Sequence, residues 1–273
     1  MHEHLRRLRS WLESIDRVRV ACSGGIDSTL LAHVAHDVLG GRAAVVHAVS
    51  PAVPPEATER VLDQGRLHGW SVMVVRGGEF EDERYLANPV DRCYHCKSHL
   101  YAALARLSQE DAGESARFVT VSGANVDDLG EYRPGLEAAR ESGVRHPYVE
   151  LAIAKRDIRD IARGLRLPYA ELPASPCLAS RLYTGTRVTP ERLRFVHQAE
   201  TIVRESTGCS VVRCRIEGAR ARIEVPDADR ARIDERVLHA VREAARQLLP
   251  EITDVVLDDR AYAPGRAFVG APA

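Results

Sequence analysis

A chain of 273 residues is long enough for a full hydrophobic core and for two domains. Its formal net charge of −1 excludes a global basic field of the kind that draws a protein to nucleic acid, and no apolar run is long enough to span a membrane. The opening Met1-His2-Glu3-His4 has no signal-peptide pattern, so a cytoplasmic protein is expected, where six cysteines point to metal or redox chemistry rather than a disulfide framework.

Leu5, Leu8, Trp11, Leu12 and Ile15 recur at helical spacing and predict a leading amphipathic helix. Val18, Val20 and Cys22 then alternate with Arg17, Arg19 and Ala21, a short strand pattern. Ser23-Gly24-Gly25-Ile26-Asp27-Ser28 follows at once, and Leu30, Leu31, Val34, Val38 and Leu39 resume helical spacing. The glycines therefore fall in a strand-to-helix turn. Free backbone N–H groups and the positive end of the helix dipole converge on such a turn and favour an anion. Two glycines let the backbone come close to a phosphate, and Ser23 and Ser28 add hydroxyls. Asp27 suits a Mg²⁺ that bridges phosphate oxygens. No Gly-Lys-Ser/Thr is present, so this is not a Walker A loop; it resembles the PP-loop of the ATP pyrophosphatases.

A buried-type strand is expected at Ala43–Val49, a helix from Pro55 to about His68, and a third strand at Val72–Val75. Residues 77–92 read as loop. Cys93-Tyr94-His95-Cys96-Lys97 then opens a helix through Leu100, Leu104 and Leu107. Two thiols at that spacing reach one metal or each other, and Arg92, Lys97 and the helix N-terminus would lower their pKa; two half-buried cysteines are the plainer alternative. A fourth strand, Phe118–Ser122, ends in Gly123-Ala124-Asn125-Val126-Asp127-Asp128. Those acids suit Mg²⁺ or a ribose, or else an Asx-type turn. Tyr132-Arg133-Pro134-Gly135 starts another helix, His146-Pro147-Tyr148 reads as a strand end, and Ala154–Leu165 as a helix. Lys155 at its start is a phosphate contact or a surface charge. Strands alternating with helices predict a doubly wound parallel sheet with ligands at the carboxyl ends of its strands.

Cys177 lies in a proline-rich loop, Pro173-Ala174-Ser175-Pro176-Cys177-Leu178-Ala179-Ser180-Arg181. From Thr189 the rhythm changes to helix (190–206), strands (211–216 and 221–225), helix and strand (253–257). This is a smaller C-terminal α/β domain, giving domains at 1–182 and 183–273. Arg213 and Arg215 share one strand face, and Arg181 and Arg187 come from the hinge. Such arginines suit a phosphate-bearing substrate, although Arg220 and Arg222 form a second same-face pair that reads equally as solvated charge. Cys22, Cys209 and Cys214 are expected to be structural.

Taken together, Ser-Gly-Gly-x-Asp-Ser, Arg92-Cys93-Tyr94-x-Cys96-Lys97, Gly123-x-Asn125-x-Asp127-Asp128, Tyr132-Arg133-Pro134-Gly135 and Cys177-Leu178-Ala179-Ser180-Arg181 resemble, in that order, the LarE family of ATP-dependent sulfur transferases. Arg213-x-Arg215 and Ala221–Val225 also fit; the tail, Arg260–Arg266, departs from the usual Gly-Tyr-Arg-x-Gly-Ser type ending. The resemblance implies an adenine nucleotide alpha hydrolase-like fold. It implies a reaction in which ATP adenylylates a carboxylate of pyridinium-3,5-biscarboxylic acid mononucleotide and sulfur displaces AMP, on the way to the nickel-pincer nucleotide cofactor. On that basis Ser23, Gly24, Gly25, Asp27, Ser28, Asn125 and Asp128 would bind ATP, with Mg²⁺ on Asp27. Arg181, Arg213 and Arg215 would hold the substrate phosphate. Cys93, Cys96 and Cys177 would ligate a [4Fe–4S] cluster that carries the transferred sulfur; in the family's other strategy the cysteine at the Cys177 position gives up its own sulfur. The expected partners are the small-molecule nucleotide, a sulfide or other sulfur donor, and further copies of the chain. A tRNA thiolase, an amide-forming synthetase of the NAD or GMP type, and a nucleotide-binding regulator without turnover are the competing readings.

Overall fold

The computed structural model describes residues 3–110, 118–130 and 132–270; Met1 and His2 of the opening tetrad lie outside them. In chain order the first elements are α1 (Glu3–Glu13), β1 (Val18–Ala21), α2 (Ile26–Leu39), β2 (Ala43–Val49), α3 (Pro55–His68), β3 (Ser71–Arg76), α4 (Glu83–Leu86) and α5 (Arg92–Glu110). There follow β4 (Val119–Ser122), α6 (Pro134–Glu141), α7 (Pro147–Glu150), α8 (Lys155–Gly164), α9 (Pro190–Thr207), β5 (Arg213–Glu217), β6 (Arg220–Glu224), α10 (Glu235–Leu248) and β7 (Asp254–Leu257). They form two compact units. One comprises Met1–Ser50, Pro55–Glu79 and Cys93–Ala174; the other comprises Pro51–Pro54, Phe80–Arg92 and Ser175–Ala273. The expected boundary at 182/183 put the Cys177 loop with the first domain, whereas the structure groups it with the second. Local bonding supplies the reason: the Leu178 N–H donates to the Ala52 carbonyl at 2.8 Å, and Arg181 pairs with Glu200 of α9.

The first unit is an α/β layer structure on a four-stranded, all-parallel sheet of order β3-β2-β1-β4. Its central strand β1 has Val18 and Val20 fully buried, as a strand covered on both faces requires. Leu8 and Leu12 of α1, Leu30, Leu31 and Val34 of α2, and Ile158 and Ile161 of α8 pack around it. Each such side chain contributes roughly 1.5–3 kcal/mol by leaving water. Arg19, which alternates with Val18 and Val20, is completely buried: its Nη1 donates to the Leu104 carbonyl of α5 at 3.2 Å and its guanidinium lies 4.5 Å from the Phe118 ring centroid. A parallel sheet has no solvated face, so a polar residue there must find its partners inside.

The second unit joins β5 and β6 as an antiparallel hairpin and adds β7 parallel to β6. Gly218, at φ +58°, supplies the left-handed residue of the two-residue turn. Helix α9 is framed by Thr189, whose hydroxyl accepts from the Arg192 N–H, by Pro190 in its first turn, and by Gly208 at φ +71° after its end. Two local expectations differ. His146-Pro147-Tyr148 is not a strand end: only Arg145 bridges β4, and Pro147 starts α7. The 77–92 loop contains α4, because the Asp82 carboxylate caps it by accepting from the Arg84 N–H at 2.9 Å.

Candidate active site

In the first unit, β1 delivers the chain to Ser23 and α2 begins at Ile26, so the Gly-Gly turn is at the strand's carboxyl end as the spacing required. Gly24 has φ +79°, and a Cβ built on it would meet the Ala57 carbonyl oxygen at 2.5 Å. Only glycine fits, both for conformation and for the approach of α3. The Ser28 hydroxyl is turned inward. It accepts from the Ser23 N–H at 3.0 Å, donates to the Gly25 carbonyl at 3.2 Å and lies 3.1 Å from the Ser23 hydroxyl. It braces the loop, while Ser23 is the exposed hydroxyl. Gly123, at the end of β4, lies against the same turn: a Cβ there would stand 2.7 Å from the Ser28 nitrogen.

Asp27 is in the first turn of α2. Lys155 Nζ donates to its Oδ2 at 2.5 Å, and its Oδ1 is buried without a hydrogen-bond partner. Burial raises the Asp27 pKa, and Lys155 only partly offsets that rise. A carboxylate oxygen kept from water and from protein donors fits a divalent cation, so the residues present suit Mg²⁺ on Asp27. Tyr148 steadies the same residue by donating to the Asp27 carbonyl at 3.1 Å. Lys155, left between two readings by the sequence, is thus an ion-pair partner of the loop acid.

Asn125, Asp127 and Asp128 take the turn geometry. The Asn125 N–H donates to Asp128 Oδ2 and the Asp127 N–H to Asn125 Oδ1, each at 3.0 Å. Asp127 Oδ2 accepts from the Lys155 N–H at 2.8 Å, and Asp128 pairs with Arg133 at 3.0 Å. Behind the loop, β2 and α3 hold its backbone. His47 is buried with Nδ1 2.8 Å from the Cys22 carbonyl and Nε2 2.9 Å from the Thr58 hydroxyl. A carbonyl only accepts, so Nδ1 carries the proton and Nε2 accepts from Thr58. Arg60 Nη1 donates to the Gly24 carbonyl at 2.6 Å.

Cys93 and Cys96 are half-buried, one turn apart at the start of α5, and Gly135 of α6 packs against Lys97 and the Cys93 carbonyl. Among the described residues no group of three or more His, Cys, Asp and Glu side chains is placed to hold a metal ion. The three thiolates of the expected cluster are divided, two in this unit and Cys177 in the other.

In the second unit Cys177 is exposed, on a loop whose carbonyls are tied down by buried arginines. Arg181 Nη1 donates to the carbonyls of Pro176 at 2.7 Å and Cys177 at 3.1 Å, while its Nε and Nη2 grip Glu200 at 2.8 and 3.0 Å. Arg215 Nη1 donates to the Ser180 carbonyl at 2.8 Å and its Nε to Glu224 at 3.0 Å. Arg92 Nη1 donates to the Ala179 carbonyl at 2.8 Å and to the Asn88 side chain. Arg266 of the tail closes the set on the other oxygen of Glu224 at 2.9 Å. Arg181 and Arg215 are therefore engaged in shaping the cysteine loop. Arg213 is also buried. Its guanidinium lies 5.3 Å from the Tyr262 ring centroid, and burial together with Arg181 and Arg215 lowers its pKa. The exposed charges are Arg220, paired with Asp254, and half-exposed Arg222, paired with Glu217.

Glu200, Arg60 and His47 were not singled out from sequence, and Arg92 was read only as a neighbour of the thiols. Glu200 had a signal: it stands seven residues after Leu193 and four after Val196, on the apolar face of α9, where an acid needs a buried partner.

No family model matches the chain. It is 42% identical over 226 residues to an uncharacterised protein of Synechocystis, the alignment covering 83% of this chain and 82% of that one. It is 33% identical over 218 residues to the pyridinium-3,5-bisthiocarboxylic acid mononucleotide synthase of Lactiplantibacillus plantarum, covering 80% and 77%. A more distant likeness, 26% over 202 residues covering 68% and 62%, is to one subunit of the glutamine-hydrolysing GMP synthase of Methanopyrus kandleri. With a PP-loop on a parallel sheet, a cysteine loop after it, and 33% identity to that synthase over four-fifths of this chain, the chain belongs to the LarE family of the PP-loop superfamily.

Proposed function

We propose that the chain is an ATP-dependent sulfur transferase that acts on pyridinium-3,5-biscarboxylic acid mononucleotide and makes a thiocarboxylate precursor of the nickel-pincer nucleotide. The observation that carries the reading is the Ser23–Ser28 loop, with its left-handed Gly24 and the buried, unpartnered Oδ1 of Asp27. That arrangement is suited to a magnesium-bound polyphosphate.

In this reading the loop N–H groups and Ser23 hold the β- and γ-phosphates of ATP, and Ser28 keeps the loop in shape. Asp27 would hold Mg²⁺ through its unpartnered Oδ1, and the ion would supply positive charge to the phosphate oxygens. Lys155 releases Asp27 as the nucleotide arrives and turns to the phosphates. Asn125 and Asp128 shape the loop that faces the nucleotide. A substrate carboxylate oxygen attacks the α-phosphorus and expels pyrophosphate. A sulfur nucleophile then adds to the mixed-anhydride carbon, and AMP leaves with the C–O bond electrons.

Cys177 is the sulfur-bearing residue in this proposal, because its thiol is exposed on a backbone that three arginines immobilise. Its thiolate displaces AMP. Loss of the Cys177 Cα proton to a base then breaks the Cβ–S bond, leaving the thiocarboxylate and a dehydroalanine. Cys93 and Cys96 supply a second thiol pair. Arg213 takes the substrate phosphate: the positive charges of Arg181 and Arg215 already oppose it, so an anion relieves most there. The test is AMP and pyrophosphate release on addition of the dicarboxylate mononucleotide, with intact mass reporting Cys177. Turnover without that substrate but with tRNA, or amide formation from ammonia, would move the chain to a competing class.

A further inference from the structure

We infer that Arg60 is a positioning residue of the phosphate loop, acting through the Gly24–Gly25 peptide. This rests on the ATP-binding reading of that loop. Arg60 is on α3, one turn after Glu56 and Ala57, and its Nη1 donates to the Gly24 carbonyl at 2.6 Å. In a trans peptide the carbonyl and the following N–H point in opposite directions. With the Gly24 oxygen held back toward α3, the Gly25 N–H faces the other way, into the hollow of the turn. There it meets the Ser23 hydroxyl at a long 3.4 Å. That N–H is thereby kept for an anion. Glycine has no Cβ to oppose a peptide flip, so an outside hydrogen bond is needed to fix the plane.

The neighbours of Arg60 support the same role. Ala57 abuts the Cα side of Gly24 so closely that no side chain fits between them. Thr58 and His47 hold the preceding Cys22 carbonyl in the same way. Three residues of one turn of α3 therefore back the segment from Cys22 to Gly24. Burial lowers the Arg60 pKa, with Glu56 opposing that shift, and the guanidinium remains the charged donor at any working pH. A charge-assisted bond to a carbonyl is stronger than a neutral one, which suits a peptide that must not turn.

The test is isothermal titration of full-length protein with ATP and Mg²⁺, and with pyrophosphate, using wild type, Arg60→Met and Arg60→Lys. The expected result is tenfold or more weaker binding of both ligands to Arg60→Met. Arg60→Lys, which can still donate to Gly24, recovers to within about threefold. In turnover the KM for ATP rises while the KM for the dicarboxylate mononucleotide is unchanged. Arg60→Gln, with a shorter neutral donor, falls between them and serves if Arg60→Met melts early. Wild-type affinity in Arg60→Met, or a lysine variant as weak as the methionine one, overturns the inference. Wild-type protein that binds neither ligand overturns the ATP reading instead.

Discussion

Glu200→Ala removes one half of a fully enclosed ion pair of the cysteine loop. Arg181 and Glu200 have side chains 3% and 2% exposed, joined by two parallel hydrogen bonds, and Glu200 also accepts from the Cys214 N–H at 3.1 Å. Without Glu200 a guanidinium and a backbone donor are left buried. Breaking such a pair from one side costs about 3–5 kcal/mol. At 1.36 kcal/mol per decade that is roughly two to three and a half orders of magnitude in the opening equilibrium. Both tryptophans, Trp11 and Trp70, belong to the first unit, so their fluorescence does not report the second. Alkylation of Cys214 does: it is fully buried on β5, and burial pushes its thiol pKa up, so labelling requires opening. With reclosing faster than alkylation, the Cys214 labelling rate in Glu200→Ala should rise by that factor, and by less in Glu200→Gln, which keeps one acceptor. Arg181→Met combined with Glu200→Leu should label more slowly than Glu200→Ala, since no charge is left unpaired. A Glu200→Ala rate within tenfold of wild type would refute the claim that this pair carries the loop.

Asp27 gives a pH signature. Its folded pKa is raised, so its protonated form adds stability that is present below the unfolded value and is lost as pH rises through the folded one. Mg²⁺ needs the carboxylate, so MgATP affinity should fall with decreasing pH at a higher pH than an ordinary aspartate would give. Lys155→Met removes the charge that opposes the rise, and should move this acid limb upward; an unmoved limb would contradict the pairing. Gly123→Ala should weaken ATP binding by at least tenfold, read by titration, because its Cβ would press on the Ser28 nitrogen and the first turn of α2. Cys177→Ser should still release pyrophosphate from ATP and the dicarboxylate substrate but yield no thiocarboxylate, checked by mass spectrometry. If the serine variant makes product, the sulfur does not come through Cys177.

The first unit was readable because its signals are local. Val18, Val20, the two glycines and the apolar spacing of α2 follow one another directly, and backbone sterics leave one fold for them. The four parallel strands and the loop at the end of β1 came from this reading. The cysteine loop was harder to read. Its residues were named, but the work of Arg181 and Arg215 depends on Glu200 and Glu224, which lie 19 and 9 residues away. A same-face arginine pair looks identical in sequence whether acids lie inside or a ligand lies outside. His146–Tyr148 went astray because proline ends a strand and begins a helix with equal ease.

The most direct measurement of the central claim is a single-turnover reaction of the purified protein with ATP, Mg²⁺ and pyridinium-3,5-biscarboxylic acid mononucleotide, with the nucleotides resolved by mass spectrometry. The account predicts AMP and a product in which sulfur replaces one carboxylate oxygen, formed in equal amounts. AMP without a sulfur-containing product, or no cleavage of ATP when the substrate is present, would contradict it.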